Sequence, residues 1–135
     1  MTQENVDVVR RIWEAADRRD TQSVLALYDT DVELDLTGLP PEAGEGGIYR
    51  GHEGLQRLFR EWREVWDDAG SRLVELVDAG DRVISVYTYS GRGRASGVPI
   101  RHTFAAAWTI RRGKAVRVEW FVGRREALEA AGLAE

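Results

Sequence analysis

The sequence has no cysteine, which excludes disulfides, zinc–thiolate centres and thiol nucleophiles and suits a reducing compartment. No apolar run approaches the thickness of a bilayer. The N-terminal "MTQENVDVVRRIW" sets acids and an amide ahead of any apolar segment, unlike a basic-then-apolar secretion signal. An unprocessed cytoplasmic protein with no membrane contact is expected. Positive charge is not in excess either: 19 Lys and Arg face 23 Asp and Glu, for a net charge of −4. The signs are interspersed, so there is no long basic face and no nucleic-acid partner is expected.

What is present is one domain's worth of chain, 135 residues, with five Trp and four Tyr. So many large rings in a small acidic domain point to an aromatic interior, either a filled core or a pocket for something flat and apolar. From Gln3 to Arg19, Val6, Val9, Ile12, Trp13 and Ala16 mark one helical face. Asp20 can cap a second short helix carrying Val24, Leu25 and Leu27, ending near Tyr28 in the "DTD" turn. "VELDL" at 32–36 alternates as a half-buried strand. "TGLPPEAGEGG" is a loop, and Leu55, Leu58, Phe59, Trp62, Val65 and Trp66 mark a third helix ending by Gly70. "SRLVELVDA", "RVISVYTYSG", "VPIRHTFAAAWTIR" and "AVRVEWFV" then read as four strands of an antiparallel meander, and "GRREALEAAGLAE" as a short helix stopped near Gly132. This is a single α+β domain over residues 1–135.

The ordered set "NVDVVRRIWEAADRRD", "LALYDTDVEL", "YRGHEGLQRLFREW", "DAGDRV", "AAWTIRRGKAVR" and "REALEAAGL" resembles the SnoaL-like branch of the nuclear-transport-factor-2-like (NTF2-like) superfamily. That superfamily includes ketosteroid isomerase, limonene epoxide hydrolase and scytalone dehydratase. The resemblance implies a cone, with a curved, mostly antiparallel sheet wrapped around the N-terminal helix pair and a third helix. It also implies an apolar pocket between sheet, first helix and third helix that needs no cofactor and no metal. At the positions matching the isomerase's Tyr, base carboxylate and sheet acid, this sequence has Ile12, Leu36 and Ala106. Neither the Arg–Asp–Asp arrangement of the epoxide hydrolase nor the two-histidine set of the dehydratase is evident.

Alternation supplies other candidates. One face of the strand at 98–110 carries Val98, Ile100, His102, Phe104, Ala106, Trp108 and Ile110 and is expected to look inward. His102 is then either an acid–base group beside a phenol or a histidine hydrogen-bonded to backbone near the sheet edge. Tyr87 and Tyr89 share one face of their own strand, which the resemblance implies is the concave one, as oxyanion donors or as core. Asp35 alternates with Leu34 and Leu36 and faces away from them, but a one-residue slip or bulge would turn it inward as a second base. Glu53 and His52 at the start of the third helix serve the fold. Tyr49 can either close over the cone mouth or pack. Ile12, Trp13, Leu36, Tyr49, Phe59, Trp62, Tyr89, Phe104, Ala106, Trp108 and Trp120 make up the expected pocket wall, with His102, Tyr87 and Asp35 as candidate chemistry. On the convex face, Thr103, Ala105, Ala107 and Thr109 beside Phe121 form a small, mild surface. Since family members commonly dimerise there, a homodimer is expected.

Three functions fit this reading: proton-transfer chemistry on a steroid-, polyketide- or terpenoid-like compound (isomerisation, cyclisation or dehydration), binding of such a compound without catalysis, and a dimeric interaction module with its cone packed shut.

Overall fold

The computed structural model of the chain describes residues 2–39 and 47–133. Two helices, α1 (Thr2–Asp17) and α2 (Thr21–Ala26), precede β1 (Tyr28–Asp35), the short β2 (Ile48–Arg50) and α3 (Gly51–Val65). Then come β3 (Trp66–Asp78), β4 (Arg82–Gly93), β5 (Pro99–Arg111) and β6 (Lys114–Phe121), and finally α4 (Arg124–Ala130). Among the described residues the strands form one sheet in the order β2-β1-β6-β5-β4-β3. The last four strands make the expected antiparallel meander. β1 joins β6 in parallel, and β2 pairs with β1 in antiparallel fashion. The curved sheet wraps α1 and α3, giving the expected α+β cone. Of the loop expected from Thr37 to Gly47, residues 40–46 lie outside the described residues.

Several boundaries differ from the expected ones for local reasons. The "DTD" segment continues β1 instead of turning. The amide of Asp31 is held by Asp29 Oδ2 at 2.9 Å, and the β1–β6 register shifts between Tyr28 and Glu33, so the acids form an irregularity inside a strand. β2 lies within the segment read as the lead-in to a helix and is too short to show a period. The helical spacing of apolar residues runs through Trp66, yet the helix stops one residue earlier and Trp66 is extended, with φ −121° and ψ 137°. Arg94, from the β4–β5 connection, accounts for the stop. Its guanidinium donates to the carbonyls of Arg63 (2.8 Å) and Glu64 (3.2 Å), its backbone N–H donates to that of Val65 (2.9 Å), and it pairs with Asp67 at 3.0 Å. A cation on the last helical carbonyls satisfies orphaned acceptors at the negative end of the dipole.

Two cores lie on opposite sides of the sheet. The main core, inside the cone, gathers Val8, Val9, Ile12 and Ala15 of α1, Leu55 and Leu58 of α3, and Leu34, Val83, Trp108 and Val118 of the sheet. α1 contacts α2 and four strands, so its buried sector includes Val8 and Ala15 while Ala16 is exposed. The second core, on the convex side, seats Ala127 and Leu128 of α4 on Ile84, Val86, Ala105 and Ala107. A Schellman-type stop at Gly132 (φ +80°), with Leu133 N–H on the Leu128 carbonyl at 2.8 Å, ends that helix where expected. Arg124 straps it to Glu75 of β3 through two bonds of 2.9 and 3.3 Å. Part of the small convex patch expected at a homodimer contact is covered by the chain's own α4: Ala105 and Ala107 are fully buried within one chain, while Thr103 is exposed.

Replacing Arg94 with Ala should lower the unfolding free energy by about 1 kcal/mol, because charged hydrogen bonds to exposed helix carbonyls are lost. Urea denaturation would measure this. An unchanged midpoint would mean that the guanidinium carries no weight in ending α3.

Candidate functional site

The concave face of the sheet divides into a sealed half and a half-open half. In the sealed half, Ile12, Leu36, Ala106 and Trp108 are all part of the main core, which removes them from an accessible pocket wall. Trp108 lies in that core with its indole N–H donating to Ser85 Oγ at 2.8 Å, and Ser85 is itself fully buried. The fold therefore meets an indole donor where it buries one completely.

The half-open region lies toward the other end of the same strands. Here β4 presents Tyr87 and Tyr89, which pair in register with Phe104 and His102 of β5. Helix α1 lays Trp13 on Tyr87 with ring centroids 5.1 Å apart, and Tyr87 meets Phe104 at 5.9 Å. From the α3–β3 junction, Trp62 and Trp66 close on Tyr89 at 5.2 and 6.4 Å, both edge-on. Trp120 of β6 is half-buried at the border with the core. Gly38 brings the segment after β1 against this strand: a Cβ there would stand 2.4 Å from the Trp120 carbonyl oxygen. Trp66 belongs to this cluster although it was read as the tail of a helical stripe. Only the break after Val65 turns it toward Tyr89.

Among the described residues, three polar atoms in the cluster are shut off from solvent and meet no acceptor in hydrogen-bonding geometry: Trp13 Nε1, Trp66 Nε1 and the Tyr89 hydroxyl, which has the Trp62 indole beside it. Each unmet buried donor costs about 1–3 kcal/mol. Half-exposed Trp rings ordinarily turn the N–H outward to water, whereas here the apolar ring edges face the mouth and the donors face inward. Burial raises the pKa of the Tyr87 phenol, with the Trp120 indole pulling the other way and Tyr89 adding to the rise. Burial likewise pushes Tyr89 up to about 12, opposed by the neighbouring Trp62. Both phenols are donors at neutral pH, not bases.

The remaining candidates lie elsewhere. Asp35 is on the convex side: with Glu33 opposite Arg117 and Leu34 opposite Val118, alternation sends its carboxylate outward. There it binds Arg117 Nη2 at 2.9 Å and Thr37 through N (2.9 Å) and Oγ1 (2.6 Å). The register shift that could have turned it inward occurs upstream of Glu33 and leaves Asp35 outside. His102 shares the Phe104 face, 4.5 Å from that ring, but is exposed and donates from Nε2 to the Val122 carbonyl at 2.9 Å. Tyr49 packs between β2 and α3 under the Arg57 guanidinium (4.5 Å), with its hydroxyl donating to Glu61 at 2.5 Å. Phe59 is 36% exposed and belongs to neither core. His52 donates to the Tyr28 carbonyl at 2.9 Å, tying α3 to β1 as its structural reading requires. Two surface clefts, of about 310 Å³ against α1 and α2 and about 560 Å³ along β2 and α3, do not reach the aromatic cluster.

The SnoaL-like domain profile matches residues 9–118. The chain belongs to the SnoaL-like family. Among solved structures, the SnoaL-like chain is similar to an NTF2-like protein of Burkholderia thailandensis (31% identity, TM-score 0.78, covering 95% of this chain and 96% of that one). It is also similar to one of Burkholderia xenovorans (28%, 0.75, 97% of each). A third, from Burkholderia pseudomallei and itself of unknown function, is 25% identical with a TM-score of 0.77, covering 93% of this chain and 95% of that one. No curated protein matches the sequence. No helix among the described residues of this SnoaL-like domain is long and apolar enough to cross a membrane.

The tyrosine shifts predict an alkaline weakness. The unfolded chain releases each phenolic proton near pH 10 while folded Tyr89 holds it to about 12, so above pH 10 the native state binds more protons and stability falls as pH rises. Urea midpoints between pH 9 and 12 should decline, and Tyr89→Phe should flatten the decline. Ser85→Ala should cost about 1–3 kcal/mol by stranding the Trp108 N–H. A neutral Ser85→Ala would mean that this buried bond contributes nothing net.

Proposed function

We propose that this SnoaL-like protein binds a flat, apolar small molecule at the half-open aromatic end of its concave sheet face. The observation that carries the proposal is the contrast between the two halves of that face. One is sealed, with its indole donor satisfied; the other leaves Trp13, Trp62, Trp66, Tyr87 and Trp120 only partly buried around Phe104 and Tyr89. Exposed aromatic surface gathered on one concave wall is the usual lining of a ligand site. The SnoaL-like family supports small-molecule binding.

One observation favours a second reading, proton transfer on the bound molecule. A carbonyl only accepts, so His102 Nε2 carries the proton given to Val122 and Nδ1 of the neutral ring keeps its lone pair. With Asp35 turned outward, His102 is the base candidate nearest the two phenols, which are paired with it and Phe104 in register.

Intrinsic tryptophan fluorescence, titrated with flat steroid-like, polyketide-like and terpenoid compounds, should show saturable quenching by at least one class; silence across all three would sink the binding reading. If a quenching compound is also converted, His102→Ala should slow turnover by about 100-fold. Unchanged turnover would remove His102 from the mechanism.

A further inference from the structure

We propose that the cleft between β2 and α3 is a second binding site, which takes a phosphomonoester through Arg50, Arg57 and Arg60. It does not reach the aromatic cluster and is independent of what binds there.

The cleft, of about 560 Å³, has room for a small molecule. Three of its lining residues are arginines and one, Glu53, is acidic, in a chain whose net charge is −4. Helical spacing gathers them. Glu53, Gln56, Arg57 and Arg60 fall three and four residues apart and share the side of α3 turned away from the buried Leu55 and Leu58. In β2, Ile48 and Arg50 are exposed on either side of the buried Tyr49, so their side chains stand on one face of the strand.

Each arginine keeps donors for a ligand. Arg50 gives Nη1 to Glu33 at 2.8 Å. The Arg57 guanidinium lies over the Tyr49 ring, 4.5 Å from its centroid, and its Nε stands 3.6 Å from Glu61, beyond hydrogen-bonding distance. Stacking thus holds the fork in place while its donors stay unspent. Among the described residues Arg60 pairs with no carboxylate. Arg57 and Arg60, three residues apart on one helix face, repel each other, and a bridging anion relieves that repulsion. A carboxylate offers two oxygens, which a single guanidinium fork satisfies; three forks around one cleft suit the three oxygens and double charge of a phosphoryl group. Ile48, 45% exposed in the same cleft, gives the organic part of the ester an apolar contact. Glu53 is the one opposing charge on the wall, and in the first turn of α3 it serves the helix dipole.

The test is calorimetry on the intact protein with phenyl phosphate and benzoate at physiological salt, together with melting temperatures. Wild type should bind phenyl phosphate about tenfold or more tightly than benzoate, and melt higher in its presence. Arg57→Gln and Arg60→Gln should each weaken phenyl phosphate by about tenfold. Arg57→Lys, which keeps the charge and loses the fork, should weaken it too. Arg125→Gln, on α4 with a side chain 76% exposed, should leave it unchanged. Arg60→Gln should melt no lower than wild type without phosphate, so its lost binding reports the site and not the fold. No binding by wild type, or equal affinity for the two probes, overturns the proposal. Binding that survives both Arg57→Gln and Arg60→Gln, or that falls as far in Arg125→Gln, refutes this cleft as the site.

Discussion

The parallel pairing of β1 with β6 is the constraint on which the rest of the molecule depends. It brings a strand from the first third of the chain beside the last strand, and through β2 it fixes where α3 begins. Its register also sets, residue by residue, what faces the interior. Leu34 opposite Val118 goes inward; Glu33 and Asp35 go outward, to Arg117 and Glu119. Arg117 therefore lies among three carboxylates on the convex side, and Arg82 reaches Glu119 from two strands away. Such a half-exposed network contributes little stability pair by pair, but it leaves the outward register of Asp35 well partnered.

Strand β5 is used differently on its two faces. Its convex alanines, Ala105 and Ala107, are small enough for α4 to lie directly on the sheet, so this part of the convex face is buried within one chain. Its concave residues run from Trp108 and Ala106 in the closed core to Phe104 and His102 at the open end. The same strand thus spans the transition from packing to site, and β4 repeats it from Val83 and Ser85 to Tyr87 and Tyr89.

The chemistry left at the open end is that of donors. The carboxylates of β1 face the other way, the phenols keep their protons well above neutral pH, and the indoles can only donate. The lone imidazole is anchored to a backbone carbonyl. Such a set holds an acceptor oxygen more readily than it removes a proton, which is why binding takes precedence over turnover in the proposed function.

Most of the element order and the inward face of β5 were legible in the sequence, because period-two alternation in β5 and the helical stripe of α1 report directly on local backbone geometry, while the cone and the concave face of β4 came from the family resemblance of the ordered motifs. The helix-capping role of Asp20, which accepts from Ser23 N at 3.2 Å and Ser23 Oγ at 2.6 Å, followed from the same short-range rules, whereas the side taken by Asp35 stayed open until the β1–β6 register fixed it outward. Tertiary structure decided what depends on residues distant in sequence. Arg94 ends α3 one residue short and so delivers Trp66 to Tyr89, and α4 covers the convex alanines. Phe59 turns to solvent although it shares a helical stripe with Leu55. Alternation could say that Trp108 and Tyr89 both face inward. Whether a buried donor finds a partner is set by which strand brings a hydroxyl within hydrogen-bonding distance, and only the sheet register decides that: Ser85 stands beside Trp108, whereas Tyr89 has the Trp62 indole, itself a donor, beside it.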